Sequence, residues 1–116
     1  MKKLGAIYAR LSREDEDKID GNKDSRSIEN QIKTLSDYAK EHDIEIIKVY
    51  YDDGFSGGNQ DRPDFQQMLK DVYAHKFNVL LIKDISRLGR VMHQVGALIE
   101  QIFPDNNIRV ISRGDN

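Results

Sequence analysis

An α/β domain with a mainly parallel central sheet flanked by helices is the fold class this chain predicts. Short apolar runs rich in Ile, Val, Leu and Tyr alternate with segments whose apolar residues recur at helical spacing. Polar stretches then follow the apolar runs, and Ser12, Asp53 and Arg87 all fall just after one. Sheets of this class place ligand sites beyond the carboxyl ends of their strands.

Residues 3–9 read as the first strand, apolar and bounded by polar residues. Residues 13–26 are charged and almost without apolar anchors, which predicts a mobile loop. Ile28, Ile32, Leu35 and Ala39 share one helical face, with Ser25 or Ser27 available to cap its start. Residues 44–51, rich in Ile, Val and Tyr, favour a second strand. A polar loop over residues 53–60 holds Gly54, Gly57 and Gly58. Pro63 suits the first turn of a second helix, along which Phe65, Met68, Leu69 and Val72 repeat. Residues 78–82 form a third strand, and Met92, Val95, Ile99 and Ile102 mark a third helix that Pro104 is expected to stop. That stripe suits core packing, with subunit contact as its other use. Residues 108–111 close the sheet.

At 116 residues the chain supports a single core. No apolar run approaches the roughly 20 residues of a membrane span. With Cys at 0, disulfides and thiolate metal sites are excluded, and an intracellular protein is the default expectation. Formal net charge is −2, and Glu14-Asp15-Glu16-Asp17 would repel a phosphate backbone. A chain that grips nucleic acid unaided carries a basic surplus. Ending at Ser112-Arg113-Gly114-Asp115-Asn116 without a further helix, the chain is expected to be part of a longer protein.

Chemistry concentrates at two strand exits. Tyr8-Ala9-Arg10-Leu11-Ser12 delivers a guanidinium and a hydroxyl, and Ser86-Arg87-Leu88-Gly89-Arg90 delivers two more guanidiniums. Arginine forks match phosphate oxygens, and a serine beside them is placed to attack phosphorus. A turn serine capping local backbone and surface arginines in salt bridges are the plain alternatives for each residue alone. His42, His75 and His93 are scattered, and the adjacent Asp52 and Asp53 would point to opposite faces of a strand, so metal catalysis is not expected. Phosphoryl transfer through a covalent serine intermediate is the chemistry these residues suggest.

These blocks resemble the catalytic domain of the serine recombinases, the resolvase and invertase group. The resemblance rests on Tyr8-Ala9-Arg10-Leu11-Ser12, then Asp53-Gly54-Phe55-Ser56-Gly57 with Asp61-Arg62-Pro63-Asp64-Phe65 and Met68-Leu69, then Lys83-Asp84-Ile85-Ser86-Arg87-Leu88-Gly89-Arg90, in the family's order. The last two blocks look most like the large members carried by mobile elements, which have long DNA-binding regions after this domain. A catalytic module presented to DNA by a region absent here is what that resemblance implies, as the net charge of −2 suits. The resemblance implies a resolvase-like fold and a nucleophile, Ser12, that attacks a DNA phosphodiester to give a 5′-phosphoserine. Arg10, Arg87 and Arg90 would hold the scissile phosphate. Tyr8, Gln31, Asp53, Ser56 and Arg62 would support it, Gln31 having a solvated helix position as its alternative. Tyr8 would touch a phosphate or a neighbouring side chain. Many small resolvases carry an aspartate where this chain has Ser86, which puts a proton-transfer role there in doubt. The implied partners are double-stranded DNA at specific recombination sites and further copies of the chain, as dimer and synaptic tetramer. No metal or other cofactor and no membrane is implied, and the setting would be the bacterial cytoplasm. A small α/β phosphoryl-transfer enzyme and a non-catalytic regulatory module are the rival readings.

Overall fold

The structure is a computed structural model that describes residues 2–10, 28–52, 62–84, 88 and 92–113, the side chains of 92–94 aside. Its strands are β1 (Leu4–Arg10), β2 (Glu45–Asp52), β3 (Val79–Ile82) and β4 (Arg109–Ser112). They form one sheet in the order β2-β1-β3-β4, with every pairing parallel. Parallel strands need crossover helices, and those helices cover both faces of the sheet. This is the α/β class that the alternating pattern predicts.

Strand β1 is central and buried from Gly5 to Arg10. Its alternate residues divide the core in two. Ile7 packs with Leu35, Ala39, Ile44, Val79 and Leu81 beneath α1 (Ile28–Glu41). Ala6 and Tyr8 pack on the opposite face with Phe65, Met68 and Val72 of α2 (Pro63–Tyr73), and with Val95, Leu98 and Phe103. On α1 the buried stripe is Gln31, Leu35 and Ala39, four residues apart, while Ile28 and Ile32 are only half-buried.

Two irregularities depart from the sequence pattern. Strand β2 slips register opposite Gly5 and Ala6, so that Ile46 pairs with Gly5 while Lys48 pairs with Ala6. The extra residue, Ile47, reverses the alternation: Ile46 and Val49 both reach the α1 face, and Tyr50 and Asp52 turn toward α2. The second irregularity concerns Pro104, which does not stop its helix. Helix α3 (Met92–Ala97) widens into a π-helical turn (Leu98–Ile102) and continues as α4 (Phe103–Asp105). Proline crowds the carbonyl four residues before it, and the wider turn just ahead of Pro104 accommodates the ring. Phe103 donates its N–H to the Leu98 carbonyl, five residues back. Leu98 and Phe103, rather than Ile99 and Ile102, become the buried pair.

Three helices return to the sheet through the same turn. Asp43, His75 and Asn107 take left-handed φ values of 59°, 58° and 61°. The next residue in each case donates to a carbonyl five residues back: Ile44 to Ala39 at 2.9 Å, Lys76 to Asp71 at 3.1 Å and Ile108 to Phe103 at 2.8 Å. This is the Schellman closure, which satisfies carbonyls the helix end leaves open. Among the described residues, no helix is long and apolar enough to cross a membrane.

Gly5 faces side chains at the start of β2 with no room for a Cβ. A Cβ on Gly5 would stand 2.5 Å from Cγ2 of Ile44 and 3.2 Å from Cδ1 of Ile46. Overpacking of a tight core costs typically 1–3 kcal/mol, so Gly5→Ala is expected to lower stability by about that much in urea unfolding. Adding Ile44→Ala removes the clashing methyl, and the pair is expected to cost less than the sum of the two changes. Strict additivity would disprove the contact.

Candidate active site

The chain leaves β1 for β2 through α1 on one face, and β2 for β3 through α2 on the other. Where successive connections depart in opposite directions, a crevice opens beyond the carboxyl ends of the strands, here between β1 and β3. Arg10 is the last residue of β1, and Ile82, Lys83 and Asp84 lead out of β3.

Arg10 shares the α2 face with Tyr8 and is only 7% exposed. Its main chain is clasped by Gln31 of α1. The Arg10 N–H donates to Gln31 Oε1 at 3.3 Å, and Gln31 Nε2 donates to the Arg10 carbonyl at 3.1 Å. The solvated position considered for Gln31 is therefore excluded, since the residue is 3% exposed. Both ends of its amide engage backbone, which fixes the exit of β1 two residues before Ser12.

Asp52 is the residue the sequence reading missed. It closes β2, buried, and pairs in register with Arg10. Tyr8 donates its hydroxyl to Asp52 Oδ2 at 2.8 Å. The backbone N–H groups of Asp64 and Phe65 donate to Oδ1 and Oδ2, both at 3.0 Å. Helix α2 thus receives its cap from the neighbouring strand, because Arg62 at its start offers no side-chain cap. Asp64 reciprocates by accepting the Tyr51 N–H at 3.0 Å. The signal was present: Tyr50 and Asp52 alternate inward on one face, and Asp52 precedes a helix that opens with proline.

Tyr8 is fully buried, its ring edge-on to Phe65 with centroids 5.4 Å apart. Of the two contacts expected for its hydroxyl, the structure shows the neighbouring side chain. Burial, reinforced by the Asp52 carboxylate, pushes the hydroxyl's pKa well above the usual phenol value, and the charges of Arg62 and Arg10 pull it down. A second pair repeats the arrangement deeper in the same interface, where Tyr50 donates to Asp71 of α2 and Gln67 donates to the same carboxylate at 3.0 Å.

Arg62, expected to approach phosphate, lies with its guanidinium 3.9 Å above the Phe65 ring and donates from Nη2 to the Leu88 carbonyl at 3.1 Å. Leu88 is itself 1% exposed and belongs to the α2-side core. The three sequence blocks therefore meet: Tyr8 and Arg10 from the first, Arg62 and Phe65 from the second, Leu88 from the third. Ser12, Asp53, Ser56, Arg87 and Arg90 lie outside the described residues, as do Ser25, Ser27 and the 13–26 loop. Among the described residues, no group of three or more His, Asp or Glu is placed to hold a metal ion. Among the described residues, the charges of Arg10 and Arg62 both act on Tyr8, and guanidinium forks of this kind match oxyanions.

Loss of a helix cap costs about 1 kcal/mol, and a buried donor left without an acceptor about 1–3 kcal/mol. Asp52→Ala is accordingly expected to destabilise by about 2–4 kcal/mol in urea unfolding, and Asp52→Asn, which keeps one acceptor oxygen, by less. Equal costs would remove the capping argument. Tyr8 makes alkaline stability measurable. Below about pH 10 its hydroxyl is protonated in both states and its contribution is complete. Above that, the unfolded chain releases a proton the folded chain keeps, so stability falls by about 1.4 kcal/mol per pH unit until Tyr8 ionises in the fold. Tyr8→Phe is expected to flatten the decline of the urea midpoint between about pH 10 and 12.

The comparisons with known proteins agree with this geometry. The family model described as the resolvase N-terminal domain matches residues 5–116. No curated protein matches the chain in sequence. The N-terminal catalytic domain of TP901-1 integrase is similar at 31% identity and TM-score 0.76, over 95% of this chain and 76% of that one. A resolvase family site-specific recombinase from Streptococcus pneumoniae is similar at 27% identity and TM-score 0.74, over 96% and 72%. The C-terminal catalytic domain of ISC1926 TnpA, an IS607-like serine recombinase, is similar at 27% identity and TM-score 0.73, over 97% and 71%. With the family match running from the first strand through the last, this chain belongs to the resolvase family of serine recombinases and has the fold of their catalytic domain.

Proposed function

We propose that the chain is the catalytic domain of a site-specific DNA recombinase in which Ser12 is the nucleophile. The observation that carries this reading is the meeting of the three family blocks at the β1–β3 crevice, in a chain that matches the family model across residues 5–116. Ser12 Oγ attacks the phosphorus of a DNA phosphodiester. The bond from phosphorus to the 3′ oxygen breaks, the 3′ oxygen takes up a proton, and the 5′ phosphate remains esterified to Ser12. Reversal, by a 3′ hydroxyl of an exchanged strand, rejoins DNA without an external energy source.

In this mechanism the negative charge that grows on the non-bridging oxygens is met by Arg10, Arg87 and Arg90. Fixed guanidiniums act there more strongly in the transition state than in the ground state. Comparable charge clamps contribute factors on the order of 10³–10⁵ in other phosphoryl transfers. Gln31 holds the Arg10 main chain, and Tyr8 donates to Asp52 while feeling both arginine charges. Asp53 and Ser56 complete the support from the middle block. The substrate is duplex DNA at a recombination site, and the active form is a dimer that pairs into a tetramer. The net charge of −2 suits a domain carried to DNA by a binding region in a longer protein, outside residues 1–116.

The test uses the recombinase that carries this chain, mixed with duplex DNA bearing its crossover site and quenched with denaturant. Protein covalently joined to a 5′ DNA end is expected, mapping to Ser12 and absent in Ser12→Ala. Arg87→Ala and Arg90→Ala are expected to lower its formation by several orders of magnitude, with a smaller effect on binding. Bound DNA that stays intact and free of adduct would overturn the reading.

A further inference from the structure

Arg62 stands at the start of α2 with a left-handed backbone, φ 34° and ψ 70°. Residues with a Cβ rarely stay in that region unless the surroundings determine the position. Here the surroundings lie on both sides of the residue. Asp52 fixes the first turn of α2 from the end of β2, and the Arg62 guanidinium carbon stands 3.9 Å from the centroid of the Phe65 ring, in the first turn of the same helix. From there Nη2 reaches the carbonyl of Leu88, whose own side chain is fully buried. Arg87 and Arg90 flank that carbonyl in sequence.

We propose that Arg62 is a positioning residue, which pins the main chain at Leu88 to the start of α2 and so sets where Arg87 and Arg90 stand. This rests on the recombinase reading and deepens it. Contact with the Phe65 ring and a directed N–H bond to the Leu88 carbonyl engage the guanidinium within the protein, as a planar donor. A group that neutralised the scissile phosphate directly would instead depend on its charge. Misplacing a reacting group by about 1 Å costs on the order of 10²-fold in rate, so the pin matters even if its own charge never meets the substrate.

Shape and charge can be separated at this position. Citrulline at position 62, installed by semisynthesis, is neutral and planar, and it keeps Nε–H and one terminal NH2 able to donate to the Leu88 carbonyl, a carbonyl oxygen replacing the other. Arg62→Lys keeps the charge and loses the plane, and Arg62→Met loses both. The readout is the rate of covalent adduct formation on crossover-site DNA by the recombinase carrying this chain. Citrulline is expected to stay within about tenfold of wild type, while the Lys and Met variants lose on the order of 10²-fold. The reverse order, with Lys above citrulline, would overturn the proposal by showing that charge is what the position supplies. The ¹⁵N–¹H signals of residues 87, 89 and 90 in the 116-residue chain give a second readout that needs no DNA. They are expected to move in the Lys and Met variants and to hold with citrulline, and unmoved signals in all three would equally overturn it. Failure of wild type to form any adduct would count against the recombinase reading, leaving these signals to decide the role of Arg62.

Discussion

The carboxylate of Asp52 is where strand, helix and crevice are joined. It accepts the Tyr8 hydroxyl from the central strand and two backbone N–H groups from the first turn of α2. Bonds to an ionised acceptor are the stronger kind, and burial raises what is lost if one is left unmade. Everything downstream depends on that junction. The start of α2 sets the Cα of Arg62, and the Arg62 guanidinium reaches Leu88 across the mouth of the sheet. Tyr8 lies in β1 two residues before Arg10, so the same carboxylate fixes both sides of the crevice.

A second route to the same place runs over the other face. Gln31 belongs to the buried stripe of α1, yet its amide turns to the main chain of Arg10 rather than to apolar neighbours. The exit of β1 is thus held from both layers, by Gln31 through the backbone and by Asp52 through Tyr8. Such double fixation is what electrostatic catalysis requires, since charges that must reorganise during reaction stabilise a transition state poorly. Tyr50 and Asp71 extend the bracing further along the interface of α2 and the sheet.

The order of elements and the class of sheet were legible because each strand is a short apolar run between helical periodicities, and no tertiary contact reverses that pattern. What stayed hidden has local causes. Asp52 falls between the strand read over 44–51 and the loop read over 53–60, since a carboxylate seldom ends a buried strand without partners on a neighbouring element. Ile47 interrupts the alternation of β2, and a bulge carries no residue signature of its own. The π-helical turn shifts the phase of the last helix, so Leu98 and Phe103 occupy the core where a strict helical period favours Ile99 and Ile102. Of the site, the blocks themselves were legible, while the contacts among Tyr8, Asp52, Arg62 and Leu88 depend on folded geometry that spacing alone does not contain.

The three Schellman turns lie at the opposite end of the sheet from the crevice, where helices end and strands begin. Asn78 works at that same edge, its side chain bonded to the backbone of Leu4 and Lys2. All three turns place a side-chain-bearing residue, Asp43, His75 or Asn107, where glycine would relax the backbone. The domain therefore keeps an unused reserve of stability at one pole and the crevice at the other. A lineage can draw on that reserve to absorb costly changes around the crevice, diversifying what the site accepts without losing the fold that carries it.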